Sequence, residues 1–434
     1  MTPDPSIDIE WLRDAVARLF AGNRLVRRDE SGRESTYHAP SLGGFPGSYP
    51  HQWFWDSCAH AIALRHVDIR LARQELLSLL AAQREDGLIP LLIFNPARMN
   101  AVARIVSHIQ AARRSPYLQP PVLAQAALAV QEKEPSKEFL SAALPGIKRY
   151  HRYLSAARDR SADGLLEIVH SYESGKDRSR EYDQVYGHRI GLGIRTLPMV
   201  MLIIRHRLLG WDLERMFDSN LFRVKDLLFN CVYARDLRAL QQLCILAGEV
   251  AEAADFAALN RKTEAAILGK MHSAETGLFY SLDSRRGADV QIKVSTLSTF
   301  LPLLLDSIDE ARVERLVNEH LANTSEYWTR FPVPAEPLGS PEAKWARTGL
   351  WRGLQTWIFT NWFICQGLMK QAGRFAAGHD RYAEMAKEIT LSSYEAVRRS
   401  GFREYYHSQT GEGQRALDFG MSALVLDMAL TLPP

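Results

Sequence analysis

DLLFNCVYARDLRALQQLCILAG, residues 226–248, is followed almost at once by VAEAADFAALNRKTEAAILGKM, residues 250–271. Both carry apolar residues at three- and four-residue spacing, the period of a helix and not of a strand. Residues 194–209 repeat the pattern upstream. Working outward, Ile9, Leu12, Val16 and Phe20 share a helical face within residues 7–21. The same period predicts helices over 71–83, 101–114, 137–157, 296–305, 309–321, 351–371, 381–399 and 417–432. Asp56 is placed to cap a helix running to His66, and Asp68 the next one. Pro121 fits the first turn of a helix reaching Glu132, while Pro145 and Gly146 predict a kink or break in 137–157. Residues 277–283 are the best strand candidate, and 24–47 read as loop or a short hairpin. About a dozen helices with hardly any β pattern make the chain all-α. No composition change or linker divides it, so residues 1–434 read as a single domain. Connection lengths suit a closed α/α barrel: inner helices ring an axis, outer helices cover them, and long loops form a cavity at one end. No repeat of fixed period favours an open solenoid.

Composition narrows the function. The chain has 434 residues, 46% hydrophobic and 24% charged, with a net charge of +3. That balance, without a basic block, argues against nucleic acid or an anionic membrane as partner. No apolar run is long enough for a membrane span. Cys58, Cys231, Cys244 and Cys365 lie far apart, so buried free thiols in a reducing compartment are expected. The N-terminus has no signal pattern, and the expectation is a cytoplasmic protein. A homo-oligomer is left open. Residues 323–348 form a long aperiodic stretch, read as a flap over a site.

Aromatic and polar residues concentrate in four regions: 49–56, 172–183, 345–362 and 402–412. Trp53, Trp55, Trp345, Trp351, Trp357 and Trp362 fall in the first and third. An indole face packs on the apolar face of a sugar ring while its N–H bonds a hydroxyl. Core packing is the plainer role, and Trp362, on an apolar helix face, suits it. Region 172–183 carries Glu173, Asp177, Glu181 and Asp183 around Gly175, and the last region carries Glu404. Glycoside hydrolysis needs two carboxyl groups across the scissile bond. Asp177 and Glu404 are a candidate pair, with Glu173, Asp183 and Glu412 as rivals. Lys176 or Arg178 would depress the pKa of Asp177, against an acid's need, unless they point away. No serine nucleophile elbow, phosphate loop or HExxH occurs. His60, His188 and His407 are isolated and lack metal-ligand spacing, so neither metal nor cofactor is expected.

Five motifs in order then carry a resemblance. They are Tyr-Pro-x-Gln-Trp-x-Trp-Asp-Ser at 49–57, Gln-Pro-Pro at 119–121, Glu-Ser-Gly-x-Asp-x-Ser at 173–179, Trp-Arg-Gly at 351–353 and Phe-x-Glu-Tyr-Tyr at 402–406. The set resembles glycoside hydrolase family 63, and within it the compact bacterial mannosylglycerate and glucosylglycerate hydrolases. The resemblance implies an (α/α)6 barrel and inverting hydrolysis of a small α-linked glucoside or mannoside without a metal in the chemistry. By that resemblance Asp177 is the general acid and Glu404 the general base, and inversion implies a separation of about 6.5–9.5 Å. Trp55 and Asp56 match residues that hold the sugar, and Tyr49, Trp53 and Gln119 match the same pocket. Tyr172, Gly175, Trp351, Arg352, Trp357 and Tyr405 complete the expected substrate-binding set.

The sequence departs from the family in three places. Leu350-Trp351-Arg352-Gly353-Leu354-Gln355-Thr356-Trp357 lacks the usual tyrosine and proline, and its second tryptophan comes one residue late. Arg178-Ser179-Arg180 replaces Asn-Ser-Pro, and Phe419-Gly420-Met421-Ser422 replaces a bulkier tail. The added arginines suit an anionic aglycone such as glycerate, because a guanidinium matches a carboxylate fork. Two other readings stand beside the hydrolase. One is a sugar epimerase or lyase on the same barrel, using His188 and His407. The other is a sugar-binding protein that has lost catalysis.

Overall fold

In the computed structural model, residues 4, 6–28, 32–43, 48–98, 114–191, 193–343 and 350–431 are described. The helix expected over 101–114, apart from Arg114, and Trp345 lie outside these residues. Along the chain come α1 (Ile9–Asn23), α2 (Phe54–Leu64), α3 (Ile69–Leu80), α4 (Leu123–Lys133) and α5 (Lys137–Arg158). After two helices outside the layers, Leu197–Leu208 within the expected 194–209 and Leu213–Asp218, come α6 (Leu227–Leu246), α7 (Val250–Ala266), a 3₁₀ helix (Leu297–Leu304) and α8 (Glu310–Arg315). The last three are α9 (Ile358–Arg374), α10 (His379–Ser400) and α11 (Leu424–Thr431).

Burial sorts these helices into two layers. All eleven residues of α2 are buried, and most of α6 is too. A helix that is apolar all round belongs inside a larger core. By contrast α7 buries only Ala253, Phe256, Asn260, Thr263 and Glu264. The inner elements pack in sequence: α2 on α4, α4 on α6, α6 on the 3₁₀ helix, that helix on α9, α9 on α11, and α11 back on α2. Outside them, α3 covers α2 and α4, α5 covers α4 and α6, α7 covers α6, and α10 covers α9. Acidic side chains cap the starts of α3, as expected, and of α6. Asp68 accepts from the Arg70 and Leu71 amides, and Asp226 from Phe229.

Several expectations need correction. Asp56 is not a cap, because α2 already starts at Phe54. The Trp55 amide instead donates to Gln119 Oε1 at 3.1 Å, leaving the Asp56 carboxyl in the helix's first turn. Pro145 does not break α5, which runs unbroken over 22 residues. Gly146 lets the helix pass Leu80 closely, since a Cβ there would lie 2.8 Å from Leu80 Cδ2. The helix expected from Trp351 starts at Ile358, because Leu350, Trp351 and Gly353 adopt positive φ and strand β8 (Gln355–Thr356) intervenes.

β structure is more extensive than expected. Strand β1 (Arg24–Arg28) pairs antiparallel with β2 (Glu34–His38), the hairpin that is one of the two readings of 24–47. Strand β3 (Gln52–Trp53) pairs β4 (Leu92–Ile93). The predicted strand is realised as β6 (Leu282–Asp283), between β5 (Val224–Lys225) and β7 (Val290–Gln291). Residues 402–412, for which no strand was expected, begin the pair β9 (Arg403–His407) and β10 (Gly413–Leu417), antiparallel with β9 in the centre beside β8. All four cysteines are free and buried.

A buried ion pair joins α5 to the acidic loop, residues 171–183. Arg158 and Glu173, both buried, pair at 3.0 and 2.7 Å through two guanidinium nitrogens. Removing one partner of such a pair leaves a buried charge uncompensated, at about 3–5 kcal/mol. Urea unfolding of Arg158→Met should register that loss, while the double variant Arg158→Met/Glu173→Met recovers part of it. Equal losses in the two variants would mean that the pair's charges are not coupled.

Candidate active site

A cavity of about 180 Å³ opens where the inner helices begin. The first turn of α2 contributes Trp55 and Asp56, and the acidic loop contributes Gly175, Asp177 and Arg178. Trp351 and Trp357 come from the approach to α9 and Phe359 from its first turn, and Glu404 and Arg415 come from β9 and β10. Tyr49, Trp53 and Gln119 complete the expected residues at its wall.

The acidic loop is held at each step. His170 Nδ1 accepts from the Tyr172 amide at 3.0 Å, and Ser174 Oγ donates to the Ser171 carbonyl at 2.6 Å. Gly175 then turns the chain at φ 75°, and a Cβ there would stand 2.2 Å from the Trp55 ring. Glycine is required twice over, by conformation and by the close approach. Lys176 points away from the cavity, into a buried cluster with Asp226 at 2.7 Å, Tyr182 Oη at 3.1 Å and Glu181. Asp177 faces the cavity with 32% of its side-chain surface open. Enclosure by protein raises its pKa above the ordinary carboxylate value. Arg178 opposes this, its Nη1 lying 4.0 Å from Oδ2, but burial prevails.

Glu404 is buried on the middle strand. Its Oε1 accepts from Tyr49 Oη at 3.1 Å and its Oε2 from the Ala416 amide at 3.3 Å. A bulge in β10 between Gln414 and Leu417, with Arg415 at φ 63°, accompanies the approach of Arg415 Nε to 3.2 Å from Oε2. Bulges commonly re-aim a side chain in this way. Burial raises the pKa of Glu404, Arg415 and the two hydrogen bonds oppose it, and the charge of Asp177 adds to the rise. Burial also pushes Asp56 up to about 8, with Glu404 adding to it. A protonated Asp56 can donate as well as accept.

The aromatic wall is continuous. Trp351 and Trp357 stack with ring centroids 3.9 Å apart and planes within 3°. Trp55 packs edge-on against Phe359 at 4.8 Å. The buried Nε1 atoms of Trp53 and Trp357 have no protein acceptor. Buried donors are normally paired, so these two suit ligand hydroxyls.

Three expected residues stand behind the wall. Tyr405 packs on Trp357 at 4.9 Å, and Tyr172 on His170 at 4.5 Å. Buried Arg352 braces the acidic loop, donating to the Arg178 carbonyl at 2.7 Å and pairing with Asp183 and Glu342. The rivals for catalysis are accounted for: Glu173 pairs with Arg158, Asp183 with Arg352, and Glu412 is exposed. Trp362 is a core residue, its Nε1 donating to Asp427 at 2.7 Å. His60 is buried against Gly420, His188 is exposed, and neither these nor His407 lines the cavity. Among the described residues no group of His, Cys, Asp and Glu could hold a metal. Sequence reasoning missed Arg415. Its signal was the turn Thr410-Gly411-Glu412-Gly413, which folds the following residues back along Glu404.

The mannosylglycerate hydrolase MGH1-like glycoside hydrolase domain matches residues 49–422. The chain belongs to this family. A mannosylglycerate hydrolase of Thermus thermophilus is 28% identical over 412 residues, covering 87% of this chain and 93% of that protein. A glucosylglycerate hydrolase of Mycolicibacterium hassiacum is 26% identical, covering 95% and 96%. The crystal structure of the family 63 mannosylglycerate hydrolase of Thermus thermophilus with Tris and D-glycerate matches at a TM-score of 0.79 and 26% identity. That match covers 97% of this chain and all of that one. The neutral trehalase of Saccharomyces cerevisiae shares the helix-rich fold, with a TM-score of 0.61 at 14% identity over 100% of this chain and 81% of that one. As a member of the MGH1-like family, the protein is a glycoside hydrolase.

Gly175 tests the site's geometry within that family. A displacement of about 1 Å can cost roughly 100-fold in rate. Gly175→Ala, which drives a methyl into Trp55, is expected to lower kcat/KM for glycoside hydrolysis by about that factor. Kinetics at wild-type levels would mean that Trp55 and the loop move apart freely.

Proposed function

We propose that the protein is an inverting α-glycosidase on an (α/α)6 barrel, acting on a small α-mannoside or α-glucoside, with Asp177 as general acid and Glu404 as general base. The observation that carries this is the pair itself: two carboxyl groups, both with raised pKa, face one cavity from different elements. The alternating inner and outer helices support the barrel. Asp177, protonated, gives its proton to the glycosidic oxygen. Glu404, ionised and beside Arg415, takes a proton from water attacking the opposite face of the anomeric carbon. The stacked Trp351 and Trp357 offer an apolar wall to the substrate, and Asp56 with the indole N–H groups meets hydroxyls.

Glycerate is the aglycone we favour. Arg178 lines the cavity, anchored by its Nε to the Gly191 carbonyl at 3.1 Å. Arg180 is occupied by Glu336 at 3.0 Å. Arg178 is therefore the arginine of the loop available to a carboxylate. The substrates in the names of the mannosylglycerate and glucosylglycerate hydrolases agree with this choice. The free thiols fit a cytoplasmic protein, and no helix among the described residues is long and apolar enough to cross a membrane.

Proton NMR of the anomeric signals tests the mechanism. The protein would be incubated with mannosylglycerate, glucosylglycerate, kojibiose, nigerose, maltose and trehalose. Early β-sugar, released fastest from one of the two glycerates, is the expected result. Early α-sugar overturns inversion, and no release from any compound overturns the hydrolase assignment of this cavity. Asp177→Asn should lower turnover of unactivated substrate by about 10²–10⁴-fold.

The pH profile gives an independent check. Arg415 depresses the pKa of Glu404, so Arg415→Leu raises it. The base works only when ionised, so the acidic limb of kcat/KM should move to higher pH. Arg178 depresses the pKa of Asp177. The acid works only when protonated, so Arg178→Leu should extend the alkaline limb to higher pH. Exchange of the two effects would reverse the roles of the carboxyl groups.

A further inference from the structure

A second cavity, of about 370 Å³, lies at the other end of the same inner helices. Helix α2 gives Asp56 to the catalytic cavity from its first turn and Ile62 to this one from its last. Helix α9 gives Phe359 to the first and Gln366 and Lys370 to the second. Four cations line it, against the carboxylates Glu132 and Asp306.

Three of the four cations are held by protein partners. Arg65 donates to the Ala129 carbonyl at 2.9 Å and to Asp427 at 2.7 Å. Lys370 donates to the Leu304 carbonyl at 2.7 Å and pairs with Asp306. Arg238 sits at the rim, 46% exposed, donating from Nη1 to Gln241 at 3.1 Å with its Nε 3.5 Å from Asp306, so its guanidinium still faces solvent. Arg235 lies deeper. It donates from Nη2 to Gln366 at 3.0 Å, and its buried Nε has no acceptor. Burial holds its pKa below the usual arginine value, with Asp306 and Glu132 too weak to compensate. Beside it Gln125, only 8% exposed, has a buried Oε1 with no donor. A buried donor and a buried acceptor are thus both left unsatisfied at one polar cavity, and each carries a desolvation cost that a ligand can remove.

We propose that this cavity binds a small hydroxylated anion, whose phosphate or carboxylate group meets Arg235 and Arg238 and whose hydroxyl donates to Gln125 Oε1. Such a ligand would bridge α2, α4, α6 and α9 at the end away from the chemistry.

Isothermal titration calorimetry with glycerol 3-phosphate and with D-glycerate tests this. Saturable binding of at least one probe is expected, weakened about tenfold or more by Arg235→Met, since charge-assisted hydrogen bonds to a guanidinium are the strong ones. The tighter probe identifies the anionic group. Arg238→Ala should weaken the same event, and both variants should keep wild-type kcat/KM for glycoside hydrolysis. Binding of D-glycerate in the catalytic cavity is told apart by Arg178→Ala, which removes that event and leaves the axial one. If Arg235→Met does not fold, the rim variant Arg238→Ala decides. No binding of either probe at up to about 10 mM, a very weak affinity, overturns the proposal. Binding that neither variant weakens does so too.

Discussion

The arrangement of the site depends on one buried carboxylate that lies outside the cavity lining. Glu173 receives both terminal guanidinium nitrogens of Arg158, the Leu118 amide at 3.2 Å and the Val169 amide at 2.8 Å. A carboxylate this deep is tolerable only when its lone pairs are filled. Filling them joins three segments that are distant in sequence: the end of α5, the stretch leading to Gln119, and the acidic loop. Gln119 in turn receives the Trp55 amide, so the start of α2 is fixed by the same chain of contacts. Asp177 is four residues from Glu173. Its position is therefore set by a hydrogen-bond network rather than by the loop's own stiffness.

Two opposing effects then set the chemistry. Burial raises both carboxyl groups, and each has an arginine that pulls it back: Arg178 for Asp177, Arg415 for Glu404. Glu404 has further stabilisation of its charge from Tyr49 and the Ala416 amide. Asp177 has no comparable pair of donors, and Lys176, one of its two cationic neighbours in sequence, is drawn away by Asp226 and Glu181. The asymmetry gives the charge of Glu404 more stabilising contacts than that of Asp177, in line with the proposed roles of base and acid. An enzyme with one acid and one base needs its two pKa values pushed apart in this direction.

Much of this was legible in the sequence, and the misses have physical causes. Helical period located the inner and outer elements, because α6 and α10 bury stripes that repeat every three to four residues. It failed for β9, whose residues Glu404, Tyr405 and Tyr406 are all buried and so lack the alternation of a half-exposed strand. It also failed at Trp351, where three of four consecutive residues have positive φ, a backbone that apolar period cannot signal. Asp56 was right as a cavity residue and wrong as a cap, because capping there comes from Gln119, far away in sequence. The separation of Arg178 from Arg180 was invisible for the same reason. Their fates are decided by the Gly191 carbonyl and by Glu336, which no local pattern places nearby.

The motif that departs most from the family illustrates how packing absorbs a sequence change. The segment ending in Trp357 lacks the usual proline, and its second tryptophan is one residue late. Left-handed turns at Leu350, Trp351 and Gly353 take up the extra residue before β8. Gly353 has no side chain to clash with the Glu342 backbone, whose carbonyl would lie 2.8 Å from a Cβ. Arg352 is held by Asp183 and Glu342 and so keeps the turn against the acidic loop. With both ends fixed, Trp351 and Trp357 come face to face, and Tyr405 supports the outer ring. Non-glycine residues at positive φ cost about 1–3 kcal/mol each and persist where surrounding contacts impose them. Here those contacts are the same ones that hold Asp177. The aromatic wall and the loop that carries Asp177 therefore share one set of contacts, joined through Arg352.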